Sequence, residues 1–108
     1  MKRRLTFTAM TLLAMAASSL PTAGAEDTDH IVVSHFMFQP TTLTIKAGST
    51  VTWVNRDEEP HTIVSATGLF RSGALDTDGT FSFRFEKPGT YPFVCSIHPQ
   101  MTGTILVQ

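Results

Sequence analysis

Beyond residue 30 the chain alternates between apolar and polar positions. In "TFSFRFE" (80–86), Phe81, Phe83 and Phe85 fall on one side, and Ser82, Arg84 and Glu86 on the other. "STVTWVN" (49–55) puts Val51, Trp53 and Asn55 together, and "YPFVC" (91–95) does the same for Tyr91, Phe93 and Cys95. A period of two with β-branched and aromatic enrichment predicts strands. "IVVSHFMF" (31–38), "TLTIK" (42–46), "HTIVS" (61–65) and "GTILV" (103–107) add further extended runs. Pro40, Ala47-Gly48, the charged "NRDEEP" and "KPGT" punctuate them, and 66–79 reads as a longer excursion with turns. No segment after the N-terminal stretch carries a helical period. The pattern therefore predicts an all-β domain, a sandwich or barrel of two packed sheets, without internal repeats.

The N-terminus has a different pattern. Lys2, Arg3 and Arg4 precede an apolar run, which ends in Ala23-Gly24-Ala25. This is the layout of a cleaved secretory signal peptide. The run is short for a membrane span, which takes about 20 residues, and Ser18, Ser19 and Pro21 interrupt it. We expect residues 1–25 to be removed, by the general secretory or the twin-arginine route, leaving one domain over 26–108. No cysteine stands directly after the cleavage site, where Glu26 lies, so no lipid or membrane anchor is expected. The whole chain carries a formal charge of −1. Without Lys2, Arg3 and Arg4, five basic residues face nine acidic ones, a net of −4. Such a surface does not suit nucleic acid.

The single cysteine, Cys95, sharpens the picture. A lone cysteine in an exported chain implies an intermolecular bridge, a reactive thiol or a metal ligand; an inert thiol packed as a small hydrophobe is the bland alternative. If Phe93 faces the core, so does Cys95. The chain must then turn through "SIHPQMTG", so Cys95, His98 and Met101 line one short loop. Thiolate, imidazole and thioether form a soft donor set that selects copper, with a second histidine completing a trigonal site under a weak axial methionine. His61 leads His30 and His35 for that position. It opens an extended run after Pro60, at the same end of the sandwich. His30 lies in an acidic segment expected to be loose, and His35 sits in a predicted strand. Zinc prefers more thiolates. A cysteine protease would draw its base from a distant segment. A metal-free binding module on an immunoglobulin-like sandwich would leave His61, Cys95, His98 and Met101 as coincidence.

"FMFQPTTLTIKAGSTVTWVNRDEEPHTI" followed by "GTYPFVCSIHPQMTGTILV" resembles the cupredoxins, the type 1 blue copper proteins, across nearly all of 31–108. The C-x-x-H-x-x-M loop, and Asn55 six residues before His61, are most similar to the amicyanin type. The resemblance implies a Greek-key β-sandwich or barrel of about seven to eight strands. It implies one copper held by His61, Cys95 and His98, with Met101 as the long axial ligand. It also implies that Asn55 ties the ligand loops together and donates towards the thiolate sulfur. Ile97 departs from the family, which often has proline there. No coordination position is left open for substrate, so the expectation is not an enzyme. Val94 and Ser96 stand where multicopper oxidases place histidines, and a second loop cysteine for a binuclear centre is missing. The implied function is a monomeric periplasmic one-electron carrier between transient redox protein partners. A copper-ion carrier is the alternative. The resemblance makes the His98 edge the electron port, and Pro60, Pro99, Leu69 and Phe70 are our candidates for its apolar rim.

Overall fold

The computed structural model describes residues 28–108. The expected signal peptide and its cleavage site lie outside them. Eight strands follow in order: β1 (Thr28–Ser34), β2 (Met37–Gln39), β3 (Thr42–Ile45), β4 (Ser49–Asn55), β5 (Val64–Ser65), β6 (Thr80–Phe85), β7 (Gly89–Val94) and β8 (Thr102–Val107). They form two four-stranded sheets, β2-β1-β4-β6 and β3-β8-β7-β5. β1 runs parallel to β4 and β3 parallel to β8, while the remaining pairs are antiparallel. The all-β sandwich is as expected. Alternation places the core between the sheets: Val51 and Trp53 from β4, Phe85 from β6, Phe93 from β7 and Ile105 from β8 are all buried. Trp53 stands at its centre, edge-on to Phe93 at 5.3 Å and tilted against Phe70 at 5.7 Å. Offset and edge-to-face aromatic pairs of this kind add to the stabilisation from burial alone.

Three sequence expectations change. The run 31–38 is two strands, not one. His35 and Phe36 form a two-residue hairpin loop with φ of 55° and 57°, and Ser34 pairs with Met37. Positive φ at both loop residues matches the twist of the flanking strands, but neither is a residue that favours it. The carboxylate of Asp57 compensates by accepting both their N–H groups, at 2.7 and 2.9 Å. His30 is not in a loose segment: it lies within β1, opposite Thr52 of β4. The third change concerns 61–65, where only Val64 and Ser65 join a sheet. His61 instead exchanges backbone hydrogen bonds with Leu75 at 3.1 and 2.7 Å, so the 66–79 excursion returns to pair with it.

Candidate metal centre

Two segments meet at one end of the sandwich. The first runs from the end of β4 through 56–60 to His61. Asn55 organises it: Nδ2 donates to the carbonyls of Glu59 (2.8 Å) and Leu75 (2.9 Å), and Oδ1 accepts the Asp57 N–H (2.9 Å). The second is the tight turn from β7 to β8. Cys95 N–H donates to Met101 C=O at 3.1 Å, and Met101 N–H to His98 C=O at 2.8 Å. These bonds fold 95–101 back on itself and carry Cys95, His98 and Met101 to the same end. Gly103 lets the turn close, because a Cβ there would overlap the Phe93 ring.

The side chains then converge. Cys95 Sγ lies 3.8 Å from Nδ1 of His61 and 3.8 Å from Nδ1 of His98. All three donor atoms lie within 4.8 Å of one another. Typical metal–sulfur and metal–imidazole bonds at a trigonal angle would separate S and N by about 3.7 Å, so the cluster is already spaced for one ion. His61 and Cys95 have no exposed surface, Met101 is buried, and His98 is half-buried. His30 and His35 are exposed and stand outside the cluster. His35 Nδ1 is instead 3.0 Å from Ser34 Oγ.

Electrostatics prepare the donors. His61 Nε2 is 2.9 Å from Asp57 Oδ2. A carboxylate only accepts, so Nε2–H donates to Asp57, which holds the ring with Nδ1 facing the sulfur. Burial opposes ionisation of Asp57. The N–H groups of Phe36 and His35, and then His61, outweigh it and hold the carboxyl below its ordinary value. Burial likewise pushes the Cys95 thiol up. The backbone N–H of Thr62, the His61 ring, and the backbone and ring of His98 reverse this and bring it to about 6. Cys95 is therefore largely thiolate at neutral pH, the form that binds metal.

The structure corrects the role expected of Asn55. Its amide is used within the 55–75 region and does not reach the sulfur. The donor across the two segments is Thr62, whose N–H points at Cys95 Sγ at 3.4 Å. Its hydroxyl lies 3.7 Å from Sγ and 2.8 Å from the Ser96 N–H nitrogen, joining the two segments. Thr62 was legible only as the neighbour of His61. Asp57 had a signal, an acid four residues before an imidazole. Phe36 had none, yet its ring stands edge-on to both His61 (5.3 Å) and His98 (5.0 Å). Of the expected rim, Pro60 and Pro99 are exposed, but Phe70 is core. Leu69 lines a groove with Phe83 and Tyr91.

A family profile described as a cupredoxin-like domain matches residues 5–107. The chain belongs to the cupredoxins. Amicyanin-alpha of Methylorubrum extorquens is 32 % identical over 107 residues, covering 94 % of this chain and 90 % of that protein. Plastocyanin of Scenedesmus fuscus is 40 % identical over 85 residues, covering 67 % of this chain and 87 % of the plastocyanin. Among solved structures, a purple cupredoxin from Nitrosopumilus maritimus superposes with a TM-score of 0.69 at 34 % identity, over 74 % of this chain and 99 % of the other. A reduced tryptophan-to-tyrosine mutant of amicyanin gives 0.73 at 26 %, over 78 % and 85 %. These relatives make the chain a cupredoxin-type electron carrier most similar to amicyanin, and the donor set fits its cofactor, one copper ion.

Proposed function

We propose that this cupredoxin is a periplasmic one-electron carrier in which His61, Cys95 and His98 hold a type 1 copper and Met101 supplies the weak fourth contact. The convergence of Sγ and two Nδ1 atoms at 3.8 Å carries the reading. Bound copper would supply the one-electron couple; the chain supplies the geometry. Asp57 and the β-bridge to Leu75 fix His61 from both ring and backbone, and the hydrogen-bonded turn fixes Cys95 and His98. A cage held this firmly alters little between oxidation states. Its buried thiolate and imidazole also suit an ion that is retained rather than handed on.

His98 is the half-buried ligand, and so the one through which an electron reaches the surface. Around the site stand Pro60, Ile97, Pro99 and Phe36, all exposed. An apolar rim of this kind suits brief docking of a redox protein to a monomer. Residues 1–25 direct export, and mature protein recovered from the periplasm should begin at Glu26 on N-terminal sequencing.

The test is addition of Cu(II) to the purified mature protein. An intense blue thiolate-to-copper absorption that disappears in Cys95→Ser supports the reading; a colourless protein, or colour that survives the substitution, ends it. Rapid loss of copper to a chelator with slow electron exchange would instead favour an ion carrier.

A further inference from the structure

Three polar groups with one proton each meet beside the Cys95 sulfur, and only one arrangement satisfies them. Thr62 Oγ1 has three neighbours: the Ser96 N–H nitrogen at 2.8 Å, Ser96 Oγ at 2.8 Å and Cys95 Sγ at 3.7 Å. A hydroxyl owns one proton and two lone pairs. The Ser96 N–H must occupy one lone pair. A thiolate or metal-bound sulfur has no proton, so a bond to Sγ must use the Thr62 proton. The Ser96 hydroxyl can then only donate, filling the second lone pair. The opposite direction, Thr62 donating to Ser96, would set a buried oxygen lone pair against the sulfur. Ser96 is exposed, so its own lone pairs remain available to water.

We propose that Thr62 is a positioning residue that delivers two hydrogen bonds to the sulfur, one from its N–H and one from its hydroxyl, and that Ser96 orients the second. The hydroxyl proton draws charge from the sulfur and so favours the reduced site. Hydrogen bonding around the cysteine sulfur is a recognised control of potential in such centres, and polarised hydroxyl chains strengthen one another. The inference rests on the copper reading above.

The experiment measures the reduction potential and the charge-transfer band of copper-loaded Thr62→Val, Thr62→Ser and Ser96→Ala beside the wild type. Thr62→Val keeps the N–H and the shape but loses the hydroxyl. It should lower the preference for Cu(I) over Cu(II) about tenfold, about 59 mV for one electron, and move the band to longer wavelength. Thr62→Ser should restore both, and Ser96→Ala should produce a smaller shift of the same sign. An unchanged potential in Thr62→Val, or equal shifts in the valine and serine variants, overturns the proposal. If the valine variant does not fold, NMR of the wild-type Cu(I) protein decides. A protected Thr62 hydroxyl proton close to the Cys95 β protons supports the arrangement, and proximity to the Ser96 β protons alone refutes it. A wild-type protein that never turns blue refutes the copper reading instead.

Discussion

Asp57 connects features that lie far apart in the sequence. One carboxylate accepts from two turn amides and from the His61 ring. Removing it leaves the buried Nε2–H without a partner, at a cost of about 1–3 kcal/mol. Asp57→Ala should therefore unfold at lower urea in the metal-free state. Such outer partners typically contribute 10–100-fold to metal affinity, so copper should bind correspondingly more weakly in a competition titration; unchanged affinity would detach Asp57 from the centre. Cys95 makes a second prediction at this scale. Its folded thiol ionises at about 6, below the ordinary value of about 8.5 in an unfolded chain. The metal-free protein should gain stability from this group as pH rises from about 6 towards the unfolded value, and lose it as pH falls through about 6. The measurement is thiolate absorbance in the metal-free protein. A thiol still protonated at pH 8 would contradict the hydrogen bonding described. The Cys95, His98 and Met101 spacing was readable because one short loop carries it. The bonds of Asp57 to the 35–36 turn cross some twenty residues of chain, and the Phe36 contacts with His61 and His98 cross more, distances that local patterning does not span.

Strands were legible wherever alternation continued unbroken, as in β4 and β6. The failure at 31–38 has a specific cause. Ile31 and Val33 are buried, and so is Phe38, an odd-to-even change of phase. The two-residue hairpin resets the period and turns Phe36 out to 44 % exposure over the imidazoles. Neither His35 nor Phe36 carries the usual signature of such a turn; a tertiary contact specifies it instead. His35→Asn, a residue that tolerates positive φ, should stabilise the protein by up to about 1 kcal/mol, read as a higher melting temperature. The β7–β8 connection has less tolerance. In Gly103→Ala the new methyl meets the Phe93 ring, and overpacking of this kind costs about 1–3 kcal/mol. A variant that melts with the wild type would show that the ring can move aside.

For the whole molecule, copper and fold are linked. An ion that binds only the folded chain, free at a thousand times its Kd, adds about 4 kcal/mol. In a domain this small each kcal/mol moves the melting temperature by about 4–8 °C. Copper should therefore raise it by roughly 15–30 °C, and Cys95→Ser should lose most of that gain; an equal rise in that variant would place the ion elsewhere. Two packed sheets were foreseeable from composition and period. Their parallel pairings, β1 with β4 and β3 with β8, were not, because parallel register depends on which strands meet across long crossovers rather than on any local turn. Those pairings also impose an order of events. His61 and Thr62 lead into β5, which pairs with β7, the strand that runs into Cys95. Asn55 and Asp57, which fix the His61 segment, stand at and just beyond the end of β4 in the other sheet, so the cage is complete only after both sheets have formed and docked. Long-range pairings of this kind are late and slow to close. During refolding with copper present, the blue colour should thus be a clock for the last step of assembly, appearing after the burial of Trp53 has already quieted.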